Sequence, residues 1–165
     1  MNVADDKFVA LNNVKYLYLR KLSEPMDNSL QIVVQEAVEN RAKAAPLDMP
    51  GMGKILPGDA WPIESTSDCR TFVLSWTRYV AYLVTEEAAG SCGNYGDEIF
   101  TGKLFRQYQK SHMLDHIACD TGGHFEPLQH YKIICLNHLI DIVSTKPPVI
   151  EVVASPDRET PSAIM

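Results

Sequence analysis

All five histidines of the 165-residue chain fall in one stretch, at His112, His116, His124, His130 and His138. Imidazole titrates near neutrality and is the commonest metal ligand. His112 and His116 are spaced i, i+4, which on a helix puts both rings on one face, as a metal pair requires. His124 or His130 would supply a third ligand. Asp115 stands between the first two, so the segment reads H-M-L-D-H. The inverted zinc peptidases carry Glu at that position, so their motif is not met. The plainer reading is two partly exposed helix histidines, and neither a metal nor another cofactor is expected.

Cysteine offers a second chemistry. Read as one helix, Tyr108, His112, Asp115 and Cys119 share a face, and a thiol beside imidazole is activated as thiolate. Side chains ranged along one helix point outward in parallel, however, and do not converge as a nucleophile, base and orienter must. Cys92 lies in Gly90-Ser91-Cys92-Gly93, a glycine loop whose backbone N–H groups suit an anion. Cys69 and Cys135 complete the set of four; no C-x-x-C pair occurs, which excludes zinc-ribbon and thioredoxin-type motifs. Trp61, Trp76, Tyr79 and Tyr82 form a third group, suited to an aromatic pocket or to a plain core.

Charge points elsewhere. The net charge is −6, and residues 51–102, with 3 basic and 7 acidic side chains, contribute −4 of it. An acidic surface repels phosphate, so a nucleic-acid ligand is disfavoured, while a basic protein would be steered toward it. Glu86 and Glu87 before the glycine loop, and Asp97 and Glu98 after it, are the acidic determinants to expect at such an interface, with Tyr95 as the aromatic anchor.

These residues need elements to position them. Alternation over 14–22 and 29–39, separated by Ser23-Glu24-Pro25-Met26-Asp27-Asn28, predicts an antiparallel hairpin. Residues 70–76 and 78–88 are apolar on both faces and read as central strands of the same sheet. Residues 43–68 and 89–102, rich in proline and glycine, read as loops. Leu104, Phe105 and Tyr108 recur at helical spacing, and the apolar positions then shift, predicting a helix over 103–119 broken near Lys110–Ser111. Residues 130–144 read as one long strand bulged at Asn137. On it Cys135, Asn137 and Asp141 face away from His130 and His138. Val149–Val153 is a last strand.

The order lacks βαβ alternation. The expected fold is therefore α+β, a mainly antiparallel sheet of about six strands with one broken helical element on a face. A single domain over 1–154 and a disordered tail over 155–165 complete the expectation. No apolar run approaches the ~20 residues that span a bilayer. The N-terminus, with Asp5 and Asp6, lacks the pattern of a signal peptide. A cytoplasmic protein without membrane contact is expected.

With no complete catalytic motif, the leading expectation is a small acidic protein-binding module, of the inhibitor or immunity type that masks a basic partner. The alternatives are a metal-dependent or cysteine enzyme built on 112–138, and a small-ligand carrier with an aromatic pocket. A homodimer through an open sheet edge is also expected to be accessible.

Overall fold

The computed structural model describes residues 3–42, 48–49, 53–54, 61–90 and 95–153. Helix α1 (Val3–Asn12) leads into β1 (Tyr16–Ser23) and β2 (Leu30–Glu39). Then come β3 (Asp48–Met49), β4 (Gly53–Lys54), β5 (Ile63–Glu64), β6 (Thr71–Trp76) and β7 (Tyr79–Glu86). The one-turn helix α2 (Glu87–Gly90), β8 (Ile99–Thr101), β9 (Phe105–Lys110) and α3 (His112–Thr121) follow, and β10 (Gln129–Ile134), β11 (His138–Ser144) and β12 (Val149–Val153) close the series.

Ten of these strands form two five-stranded antiparallel sheets, and β3 pairs separately with β4. One runs β1-β2-β6-β12 with β5 added beside β2; the other runs β7-β11-β10-β9-β8. The molecule is mainly β with a few short helices, rather than the single six-stranded sheet expected. Inner faces pack on each other. Leu17, Leu30, Ile32, Val34, Phe72, Leu74 and Trp76 of the first sheet meet Phe105, Tyr131, Ile133, Ile140 and Ile142 of the second. The period of two along each strand sends alternate side chains into this core.

The predicted hairpin of 14–22 and 29–39 is present as β1 and β2, with a bulge at Arg20. Its turn follows from the residues proposed for it. Asn28 takes φ +60, a left-handed conformation that asparagine tolerates, and the Ser29 hydroxyl donates to Met26 O. Val149–Val153 is likewise the strand expected, paired with β6.

Three expectations are corrected. First, β6 and β7 do not share a sheet: β6 lies inside the first sheet and β7 is an edge of the second. The chain crosses between sheets at Thr77–Arg78, and a strand apolar on both faces does not say which sheet owns it. Second, residues 105–110 are strand, and only 112–121 are helix. The break at Lys110–Ser111 stands, but Phe105 enters the inter-sheet core while Tyr108 is buried on the opposite face. Burial on both faces at i and i+3 imitates a helical stripe. Third, residues 130–144 are not one strand. The chain reverses at 135–137, where Cys135 N–H donates to His138 O, so β10 and β11 lie side by side.

Helix α1, which no pattern announced, closes one side of the core with Leu11 and with Phe8 against Phe105. Asn12 fixes the chain at the start of β9. Its Oδ1 accepts from the N–H groups of Lys103, Leu104 and Phe105, and its Nδ2 donates to Phe8 O and Phe105 O. The Gly102 turn there has φ +92, and a Cβ would stand 2.1 Å from Phe105 O, so only glycine fits. Among the described residues no helix is long and apolar enough to cross a membrane. The proposed tail 155–165, Cys92 and most of 43–60 lie outside the described residues.

Candidate functional site

The site lies on the outer face of the second sheet, beneath α3. The helix starts where it does because Ser111 is an N-cap: its backbone is extended and its Oγ accepts from Leu114 N–H. It ends at Gly122, left-handed at φ +59, with the Gly122 and Gly123 N–H groups donating to Cys119 O and Ala118 O.

Under the helix the β10–β11 hairpin does what a single strand could not. Lys132 is opposite Asp141 and His130 opposite Val143, so His130, Lys132 and Asp141 share one face. Asp141 Oδ1 lies 3.0 Å from His130 Nε2, and its Oδ2 lies 3.3 Å from Lys132 Nζ. A carboxylate only accepts, so Nε2–H of His130 donates. Its Nδ1 lies 2.8 Å from Ser111 Oγ and, in the neutral ring, accepts the hydroxyl proton. The Tyr108 ring stacks on the imidazole, with centroids 4.2 Å apart and planes 17° apart.

This Ser111–His130–Asp141 chain has the order of a nucleophile, base and orienter. Its burial argues for a different role. Ser111 is 1% exposed and His130 3%, and the Ser111 oxygen already holds the helix cap. A nucleophile must be reachable and free to attack. Ser111 instead latches the start of α3 to the sheet.

Beside the latch opens a cleft of about 660 Å3, within the usual size of small-molecule sites. Leu83, Phe100 and Tyr108 line it from the sheet, Met113 and Ile117 from α3, and Tyr95 from the preceding loop. Its polar lining comprises Arg106, Lys132, Asp141, His130, His112, His116, Glu98 and Thr85.

The residues singled out from sequence separate into groups here. His112 and His116 do share a helix face and both line the cleft. His130 is buried beside it, while His124 lies past the end of α3 with Nδ1 on Thr121 O. Among the described residues no three His, Cys, Asp or Glu groups are grouped to hold a metal. The proposed Tyr108–His112–Asp115–Cys119 face does not exist, since Tyr108 belongs to β9. Cys119 is exposed; Cys135 is in the core, where burial pushes its thiol up to about 12, so it carries no thiolate at neutral pH.

Of the acidic set, Glu86 and Glu87 are exposed where β7 passes into α2. Asp97 and Glu98 are engaged with the start of α3. Asp97 Oδ1 lies 2.8 Å from His112 Nε2 and its Oδ2 3.2 Å from Lys110 Nζ, and these partners, His112 foremost, hold its carboxyl below the usual range. Glu98 Oε1 accepts from His112 N–H, an anion at a helix N-terminus. Tyr95 lays its ring on His112 at 4.6 Å. Of the aromatic set, Tyr82 borders the cleft while its hydroxyl, like that of Tyr79, donates to Glu24 Oε1. Trp76 is in the core, and Trp61 carries Arg41 over its ring at 4.8 Å.

Sequence reading missed Ser111, Arg106 and Lys132. A serine directly before an apolar-periodic run is a cap signal and could have located the helix start. Nothing local pairs Lys132 with Asp141; that depends on the hairpin. No protein-family model matches the chain, and no curated protein or solved structure matches it.

Proposed function

We propose that this protein binds a small molecule in the cleft between α3 and the outer face of the second sheet. One observation carries the reading: apolar side chains on both walls enclose a floor of polar groups already tied together by hydrogen bonds. Ligand sites are typically apolar with a few fixed polar groups. The Ser111–His130–Asp141 chain supports the same reading, because it holds one wall at a fixed distance from the floor. This reading takes up the small-ligand carrier that the sequence offered as an alternative, with Tyr95, Phe100 and Tyr108 joining Tyr82 in place of the tryptophans.

The test is to fill the space. Met113→Trp should abolish the fluorescence enhancement of 8-anilinonaphthalene-1-sulfonate and the retention of co-purifying small molecules in native mass spectrometry, with the circular dichroism spectrum unchanged. Equal binding by the filled variant would place the ligand elsewhere and sink the reading.

A second reading keeps the expected basic protein partner. It is favoured by Glu86 and Glu87, exposed carboxylates for which no cationic partner is found among the described residues. Replacing both by Lys should slow association with such a partner at low salt and leave the off-rate nearly unchanged. An unchanged on-rate would remove this face from consideration.

A further inference from the structure

The floor of the cleft is not electrically balanced. Antiparallel pairing aligns Leu83, Asp141, Lys132 and Arg106 in one cross-strand row on one face. Lys132 and Arg106 are therefore directly opposite like charges, an arrangement that costs stability unless something lies between them. Asp141 does not serve both. One of its oxygens is on His130 and the other on Lys132. Arg106 donates Nε–H to Lys103 O, and its guanidinium carbon stands 4.3 Å from the centroid of Phe100. No carboxylate pairs with it among the described residues. Glu98, the other acid in the lining, is committed to the start of α3. It also lies by the far end of β9, four residues or about 13 Å of strand from Arg106.

An acidic protein thus holds in its cleft an arginine with no acid partner among the described residues, facing a lysine, with an aromatic ring beneath it. We infer that Arg106 and Lys132 form an anion subsite, and that the ligand carries a carboxylate or phosphate group on an aromatic or apolar body. The guanidinium keeps its terminal N–H groups for the anion, in the fork geometry that matches a carboxylate or a phosphate. The body then lies along Phe100, Tyr108 and Leu83. This inference rests on the cleft being the ligand site. The two are separable because the anion and the apolar body are read by different probes.

Three probes decide it, each titrated into the full chain and followed by amide and arginine-side-chain NMR: naphthalene-2-carboxylate, its neutral carboxamide, and inorganic phosphate. The expected result is that the carboxylate binds at least ten-fold more tightly than the amide. Arg106→Gln should erase that preference while leaving amide affinity and the spectrum of the first sheet unchanged. Arg106→Lys should restore part of it. Phosphate alone should shift Arg106 and Lys132 in the wild type only. Equal binding of carboxylate and amide, or a preference that survives Arg106→Gln, overturns the anion subsite and leaves the cleft reading intact. Phosphate shifts at Arg106 without binding of either naphthalene would keep the subsite and overturn the apolar cleft. No response to any probe would overturn both.

Discussion

On the outer face of the first sheet the cross-strand rows read Tyr18–Gln35–Thr71–Val153 and Lys21–Val33–Val73–Glu151. On the second sheet the central row reads Leu83–Asp141–Lys132–Arg106. In the two rows of the first face the charges stand apart: Lys21 and Glu151 are on opposite edge strands and exposed. The second places three charges on adjacent strands beside α3. The same alternation therefore makes a face that water satisfies and a face whose groups depend on one another. A polar residue on the first is replaceable; on the second the removal of Asp141 strands His130, which is buried. Function is to be sought where the dependence is.

The largest effect should come from cutting the floor at its centre. Asp141→Ala leaves the His130 Nε2–H without an acceptor and Lys132 without its counter-ion. Breaking a buried pair costs about 3–5 kcal/mol, and partial exposure of Lys132 puts the expected loss at about 3 kcal/mol in urea unfolding. Gln35→Ala, its counterpart on the first sheet, should cost under about 1 kcal/mol. Equal losses would dissolve the comparison.

Next is the latch. Ser111→Ala removes the helix cap and the hydrogen bond to His130, with an expected loss of about 1–2 kcal/mol. The location matters more than the size. Amide exchange should accelerate over 112–121 while β1 and β2 keep their protection. Acceleration throughout would mean that the latch stabilises the whole fold and does not govern α3 alone.

A smaller effect belongs to an ion pair of the first sheet, that of Glu36 with Arg70. Hydrogen bonds from Arg70 hold the Glu36 carboxyl below its usual range. A lowered folded value means that the pair contributes fully above the unfolded carboxyl value and fades as pH falls toward the folded one. With Arg70 43% exposed, the contribution is under about 1 kcal/mol. Glu36→Gln should therefore lose less stability than the wild type between about pH 5 and pH 3. Parallel acid limbs for the two would show that the pair contributes nothing.

The uneven legibility of the two sheets has the same physical root. The β1–β2 hairpin and β12 could be read because each shows a turn or breaker signal beside a clear alternation. The site could not, because its strands are covered on both faces. Phe105 and Tyr108, buried on opposite sides of β9, produced a helical spacing. Ile133, Ile140 and Ile142 on the core side, with Leu139 and Val143 on the other, left no period to mark the reversal at 135–137. His130 and Asp141 were each visible as chemistry, and only the unread turn kept them on different faces. The i, i+4 pair His112 and His116 was legible because it is local to α3.

The smallest effect, and the most informative about the unbalanced row, is that of Arg106→Gln in ligand-free protein. Two contributions oppose each other there. Losing the guanidinium from the Phe100 ring costs about 0.5–1 kcal/mol for a partly exposed cation–π contact. Removing a like charge opposite Lys132 returns about 0.2–1 kcal/mol. The net change should fall within about 0.5 kcal/mol of zero, far less than at Asp141 two strands away. A cycle with Phe100→Leu separates the contributions: in that background Arg106→Gln should be stabilising by a few tenths of a kcal/mol. A loss of more than about 1 kcal/mol in either background would mean that Arg106 has a stabilising counter-charge within the protein. The row would then be balanced, and the second face would need no ligand to complete it.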